Sequence, residues 1–226
     1  MVQKVVAIVP ARAGSKGFPG KNMQLFEGMP LYLRAALQGV RIAGRALIST
    51  DIDEVLQIEP PAGVNLSRRP DELAADTTPM EEVVKYVIEK ESLYDFTLVL
   101  LQATSPLRRD ADIYNALELF NNSDHDLVMS VVQKERGVLK CGTLNNGCFV
   151  AVRDPSYCFR NRQQLPEVYA PNGAIYVFSA KAFLDAEGFP VSSIGAVPMA
   201  LEHSLDIDSK EDYEAAVKVA QGESAG

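Results

Sequence analysis

The stretch Lys4-Val5-Val6-Ala7-Ile8-Val9-Pro10-Ala11-Arg12-Ala13-Gly14-Ser15-Lys16-Gly17 passes from an apolar run into a basic, glycine-punctuated segment. The run at 4–9 is dense enough in β-branched residues to predict a strand buried on both faces. Proline and glycine then break the pattern through 10–20, which predicts a long loop at the strand's carboxyl end. Open α/β sheets place their ligands there. Gly14 and Gly17 let backbone amides approach a phosphate, while Arg12, Lys16 and Lys21 supply positive charge and Asn22 an amide. The spacing matches neither GxxxxGK[ST] nor GxGxxG.

Outward from this stretch the same rhythm recurs. A helix is predicted over 31–40, a strand over 45–50, at most two helical turns over 51–58 before Pro60-Pro61, and a short strand over 64–67. Pro79, taken as the first helical residue, opens a helix to about 91 with Val83, Val84, Val87 and Ile88 as its apolar stripe. The strongest strand is 96–101, followed by a helix over 110–120 and a strand over 127–132. Strand, loop and helix in repetition predict a layered α/β sheet with mostly parallel strands. Over 133–171 the rhythm fails, leaving short strand-like pieces at 139–144 and 148–153. Phe149, Tyr157, Phe159 and Tyr169 lie in this excursion, too many aromatics for a solvated loop, so a hairpin arm used for dimer contacts is expected. The main domain, 1–132 and 172–226, resumes with a strand at 174–178, a helix at 180–186 and a strand at 191–198. A last helix over 209–221 has Ser209 as cap and Asp212 as capping-box partner.

The 226 residues are enough for one domain with a small appendage, burying roughly 70% of the unfolded surface. With 22 Lys and Arg against 30 Asp and Glu, the net charge of −8 excludes a general nucleic-acid binder while leaving room for local basic pockets. The apolar stretches are far shorter than the ~20 residues needed to cross a bilayer, and the first ten residues lack a signal-peptide pattern. A cytoplasmic protein without membrane or nucleic-acid partners is expected. Cys141, Cys148 and Cys158 have no metal-like spacing, and their odd number argues against a disulfide framework. They read as small buried hydrophobes. His125 reads as exposed in a polar turn. Neither HExxH, CxxC nor a nucleophile elbow is present, so protease, hydrolase and zinc-enzyme readings lack support.

Further candidates lie downstream. In Ser204-Leu205-Asp206-Ile207-Asp208-Ser209, alternation puts Asp206 and Asp208 on one side of an extended segment. Two carboxylates aimed at one point repel unless a cation such as Mg²⁺ lies between them; the alternative is a solvated helix N-terminus. Asp51 and Asp53 repeat the pattern. Polar residues after the strongest strand, in Leu101-Gln102-Ala103-Thr104-Ser105-Pro106-Leu107-Arg108-Arg109, would face the same crevice as the first loop. Arg69 could read a base edge or pair with an acid, and Arg162 offers a planar fork suited to a carboxylate.

Together the motifs resemble the acylneuraminate cytidylyltransferases. The resemblance rests on Ala11-Arg12-x-Gly14-Ser15-Lys16-Gly17-x-x-x-Lys21-Asn22, Ser49-Thr50-Asp51, Arg69-Pro70-x-Glu72-Leu73-Ala74-x-Asp76-Thr77, Leu101-Gln102-x-Thr104-Ser105-Pro106-Leu107-Arg108, Arg162-Gln163-Gln164-x-Pro166, Pro171-Asn172-Gly173-Ala174-Ile175-Tyr176 and Asp206-Ile207-Asp208. These boxes keep the family's order and span nearly the whole chain. The resemblance implies a three-layer, Rossmann-like nucleotide-binding sheet with a small dimerisation subdomain at 133–171, part of which reaches the partner's active site. It implies a homodimer that joins CTP to a nine-carbon 2-keto acid sugar, N-acetylneuraminic acid or a relative, with Mg²⁺ as cofactor. Legionaminic, pseudaminic or Kdo-like acids are alternative sugars, and a catalytically silent sugar-nucleotide-binding protein is the alternative of another class. Nucleotide-site roles fall by resemblance on Arg12, Gly14, Ser15, Lys16, Lys21, Asn22 and Arg69. Sugar-site roles fall on Gln102, Arg162, Asn172 and Tyr176, metal ligation on Asp206 and Asp208, and catalysis on Arg12, Lys21 and Asp208. Ala103, standing where many relatives have proline, and Thr78-Pro79-Met80 depart from the family pattern around the base.

Overall fold

The structure, a computed structural model, describes residues 4–222. Its elements run β1 (Val5–Ala11), β2 (Leu25–Phe26), β3 (Met29–Pro30), α1 (Leu31–Ala43), β4 (Ala46–Thr50), α2 (Asp53–Leu56), β5 (Val64–Arg68), α3 (Met80–Lys90), β6 (Thr97–Leu101) and α4 (Asp110–Asn121). They continue with β7 (Leu127–Lys134), β8 (Gly142–Asn145), β9 (Cys148–Ala151), β10 (Val168–Ser179), α5 (Ala180–Asp185), β11 (Ile194–Met199) and α6 (Lys210–Ala220).

The apolar run at the start becomes an interior strand of a seven-stranded sheet ordered β11-β7-β10-β6-β1-β4-β5. Because side chains alternate along a strand, an unbroken apolar run feeds two cores at once. Ala7 and Val9 pack with Ala35, Ala36, Ile48 and Val99 under α1 and α4. Val6 and Ile8 pack with Val84, Val87, Leu98, Phe178 and Phe183 under α3 and α5. Helix, sheet and helix form three layers, as the rhythm of the sequence predicts. Burying each such Val or Ile contributes about 1.5–3 kcal/mol.

Four pairings are parallel: β11 with β7, β6 with β1, β1 with β4, and β4 with β5. β10 runs antiparallel to both β6 and β7. It is also longer than the 174–178 expected, because the pairing with β7 resumes at 168–171 after a register shift between Pro171 and Tyr176. The Pro-Asn-Gly that reads as a strand break is absorbed as an irregularity in the ladder, with Gly173 at φ 77°.

Other expectations shift by less. Pro79 caps α3 rather than opening it, and Met80 is the first helical residue. α1 runs on to Ala43 because Ile42 extends its packed stripe. Ser209 and Asp212 form the expected capping box. His125 is half-buried, its Nδ1 2.9 Å from Ser193 Oγ. Beyond β7 the chain makes a 3-10 turn over Arg136–Lys140, which takes the first two residues of the strand piece expected at 139–144, then the detached β8–β9 hairpin. Cys141 and Cys148 are exposed there, against the expectation of burial, since the two-stranded hairpin is not part of the main sheet and its core. Among the described residues, no helix is long and apolar enough to cross a membrane.

Candidate functional site

At the carboxyl ends of the parallel strands, separate chain segments enclose a cleft of 240 Å³. The loop after β1 contributes Arg12, Ser15, Lys21 and Asn22, the residue after β5 is Arg69, and α3 begins with Met80. Gln102 and Thr104 follow β6, Gly173 comes from the irregular stretch of β10, and Asp206 and Asp208 precede α6.

The loop after β1 is held by contacts its own composition makes possible. Asn22 Nδ2 donates to the Arg12 carbonyl at 2.9 Å, and the Asp51 carboxylate accepts from the Ala13 amide at 2.9 Å. A Cβ on Gly17 would lie 2.7 Å from the Asp208 carbonyl oxygen, so only glycine lets the loop press against the acidic segment. Lys21 Nζ donates to Asp208 Oδ1 and to the Ile207 carbonyl, and the Ile207 amide donates to the Thr104 carbonyl at 2.9 Å. Ser15 is buried, and among the described residues its Oγ has no hydrogen-bond partner.

Charge is concentrated in this cleft. Arg69 is buried and donates from Nη2 to the Ser49 carbonyl at 2.9 Å. Burial pushes its pKa down to about 10, with Asp51 opposing and Arg12 assisting, so it stays protonated at neutral pH. Asp76 pairs with both Arg12 and Lys16. Asp206 is exposed as a residue, yet its carboxyl is recessed where protein displaces water. That desolvation, aided by Asp208 and opposed chiefly by a hydrogen bond with Thr104, holds its pKa above the usual carboxylate value.

A wider cavity of 920 Å³ adjoins the cleft and shares Gly173 and Asp206 with it. Lys134, Asn172, Tyr176, Glu202 and Ser204 are among its lining. Tyr176 packs its ring 5.5 Å from that of Phe189, and burial raises its pKa. Asn172 is occupied internally: Oδ1 accepts from Ser130 Oγ at 2.5 Å and from the Ala174 amide at 3.2 Å, and Nδ2 donates to Ser204 Oγ at 3.0 Å. In this structure it fixes the irregular part of β10.

Of the residues singled out in the sequence, the cleft unites Arg12, Ser15, Lys21, Asn22, Arg69, Asp206 and Asp208. Gln102 joins them rather than the wider cavity. Gly14 lies beside the Arg12 guanidinium, and the Lys16 side chain is largely solvent-exposed on Asp76. Arg162 stands apart, paired with Glu135 at 3.1 Å beside a separate hollow that includes Lys134 and Arg136. Asp51 holds the first loop while Asp53 pairs with Arg68, so the second acidic pair is divided between two tasks.

Sequence reasoning gives no role to Ser130, quotes Asp76 only within a motif, and expects the polar residues of 101–109, Arg108 among them, to face the crevice; Arg108 turns inward instead. Arg108 is fully buried, donating from Nη1 to the carbonyls of Gln102 (3.0 Å) and Ala174 (2.7 Å) and from Nη2 to Gln38 Oε1 (2.9 Å). It ties the loop after β6 to β10. Burial lowers its pKa to about 9, with Asp110 and Asp112 pulling upward. The signal available was its place seven residues past an unbroken apolar strand.

The donor set suits a hard cation. Asp206 and Asp208 would supply carboxylate oxygens on the same wall of the cleft. Among the described residues, no group of three or more His, Cys, Asp or Glu is placed to hold a metal ion. Phosphate and water oxygens would have to complete the shell, the usual arrangement for Mg²⁺.

Comparison with known proteins places the chain in a family. The family model described as cytidylyltransferase matches residues 6–223. An N-acylneuraminate cytidylyltransferase of Streptococcus agalactiae serotype III is 32% identical over 223 residues, covering 93% of this chain and 52% of that protein. A CMP-N,N'-diacetyllegionaminic acid synthase of Legionella pneumophila is 28% identical over 223 residues, covering 93% of each. The chain thus spans about half the length of the first of these curated relatives. In three dimensions it superposes on a CMP:2-keto-3-deoxy-manno-octonic acid synthetase complexed with CTP at a TM-score of 0.73 and 16% identity, covering 97% of this chain and 99% of the other. At that identity the likeness concerns the fold.

Proposed function

Because the chain belongs to the cytidylyltransferase family, we propose that it transfers CMP from CTP to the anomeric hydroxyl of N-acetylneuraminic acid or a close nonulosonic relative, releasing pyrophosphate. The carrying observation is the meeting of Arg12, Lys21, Arg69, Asp206 and Asp208 in one cleft that opens into a larger cavity. A cleft with cations on one wall and carboxylates on the other suits a polyphosphate bound with a divalent cation, and the adjoining cavity has room for a sugar acid.

In this reading Arg12, Ser15, Lys21 and Asn22 hold the triphosphate, and Lys21 balances charge that builds on the departing pyrophosphate. Arg69 lies on the cytosine side. Asn172, held by Ser130, sets the shape of the sugar pocket beside Tyr176, with Gln102 on the cleft side of it. Mg²⁺ bound by Asp206 and Asp208 would neutralise phosphate charge. The sugar hydroxyl attacks the α-phosphorus, and the bond from that phosphorus to the bridging oxygen breaks.

The active form is a homodimer in the cytoplasm. Leu144, Phe149, Val150 and Phe159 are exposed on the 135–167 arm, an apolar surface that a second copy would cover, and Arg162 on that arm would then serve the partner's sugar pocket. Sedimentation at micromolar concentration should give the mass of two chains; a single-chain species throughout would remove the dimer. The three free cysteines suit a reducing compartment.

The same chemistry on legionaminic acid is the second reading, favoured by the match to the Legionella protein along 93% of its length. Pyrophosphate release with CTP and a panel of nine-carbon acids decides between them. Fastest turnover with N-acetylneuraminic acid supports the first, fastest turnover with legionaminic acid the second, and no release with any acid overturns both.

A further inference from the structure

Arg12 and Lys16 share one carboxylate. The Asp76 carboxylate accepts from the Arg12 guanidinium on one oxygen and lies 3.2 Å from Lys16 Nζ on the other. Asp76 belongs to the irregular segment between the Asp71–Leu73 turn and α3, and its side chain is 23% exposed against 86% for Lys16. A lysine that open to solvent has little reason to hold one position except this partner. Arg12 lines the cleft and Asp76 does not, so the carboxylate approaches from outside the wall that Arg12 forms.

We propose that Asp76 is a displaceable counter-ion for the phosphates of the nucleotide: it holds Arg12 and Lys16 at the cleft mouth between turnovers and yields them to the polyphosphate chain. The proposal rests on the CTP reading above. A phosphate oxygen on Arg12 and Lys16 would compete for the donors that Asp76 uses, and anions crowded onto the same donors repel. Binding therefore exchanges one anion for another. A triphosphate regains both ion pairs, whereas a single phosphate has fewer oxygens with which to replace them. Asp76 is thus a positioning residue that a polyphosphate displaces and a monophosphate leaves paired. When pyrophosphate departs, the carboxylate re-pairs with both cations and opposes its return.

The test is calorimetric titration without sugar, using inorganic tripolyphosphate, CTP and CMP against the wild-type chain and Asp76→Asn. The variant should bind tripolyphosphate about tenfold tighter while CMP changes far less. Equal or weaker tripolyphosphate binding by a folded Asp76→Asn overturns the exchange, since a structural tie or a metal ligand would behave that way. A second readout needs no variant. Carbodiimide should form an amide between Asp76 and Lys16 in the wild type, and saturating tripolyphosphate should suppress it while the Lys210–Glu214 pair, 3.6 Å apart, couples unchanged. Undiminished Asp76–Lys16 coupling with ligand bound sinks the proposal. If the wild type binds neither CTP nor tripolyphosphate, the CTP reading falls with it. If CTP binds both proteins equally and the coupling persists, only the exchange is lost.

Discussion

Lys21 Nζ lies 2.8 Å from Asp208 Oδ1, and the lysine is the recessed partner, 16% exposed against 76% for the aspartate. The ammonium also donates to the Ile207 carbonyl at 3.0 Å, which anchors it independently of Asp208. A phosphate oxygen can therefore take the place of the carboxylate while the lysine stays where it is.

Removing that ammonium should cost turnover. Lys21→Ala and Arg12→Ala are each expected to lower steady-state pyrophosphate release by roughly 10² or more, as loss of charge facing a transferring phosphoryl group does. Rates within about threefold of wild type for both would contradict the assignment of the cleft.

The two acidic pairs should behave differently. Asp208 faces the cleft, whereas Asp53 pairs with Arg68. In Mg²⁺ titrations at saturating CTP, Asp208→Asn should lose most activity and need more metal, while Asp53→Asn stays near wild type. The reverse ranking would place the metal at the end of β4.

Asp206 links function to stability. Folding raises its pKa, so the folded state holds this proton more tightly than the unfolded chain. The resulting stability is complete below the unfolded pKa of about 4 and disappears as pH climbs through the higher folded value. Above that, the ionised carboxylate opposes folding. Asp206→Asn should therefore gain in Tm relative to wild type as pH rises from about 3 to 7, and lose activity. A Tm difference that is flat or falls with pH would show that desolvation does not govern this carboxyl.

Arg108 should prove structural. Arg108→Met leaves the Gln102 and Ala174 carbonyls without their donor and is expected to cost about 3 kcal/mol in urea unfolding. Arg108→Lys should recover part of this. Unchanged stability in the methionine variant would mean that other groups satisfy both carbonyls.

The parallel half of the sheet is legible in the sequence because β1 and most of β6 are apolar runs and β4 opens as one, and such runs have few alternatives to a doubly covered strand. β10 is not legible to its full length: Pro171, Asn172 and Gly173 carry every mark of a turn, and pairing with β7 overrides them. The phosphate side of the cleft stands out since its cations crowd into one loop. The partners of Asp76, Ser130 and Arg108 stay hidden for the opposite reason. Each meets partners far away along the chain, and neither periodicity nor spacing says which polar groups will be buried together.

The walls of the cleft have a bearing on how the chain reaches its native state. They come from the loop after β1, the end of β5, the loop after β6, the middle of β10 and the segment before α6, and the Thr104–Ile207 hydrogen bond joins two segments far apart along the chain. Helices such as α1 and α3 can form from near neighbours, but pairing strands distant along the chain is the slow part of folding. If the cleft binds nucleotide as proposed, affinity should appear only once that slow pairing is complete, and a bound nucleotide should stabilise the finished sheet rather than any partly folded form.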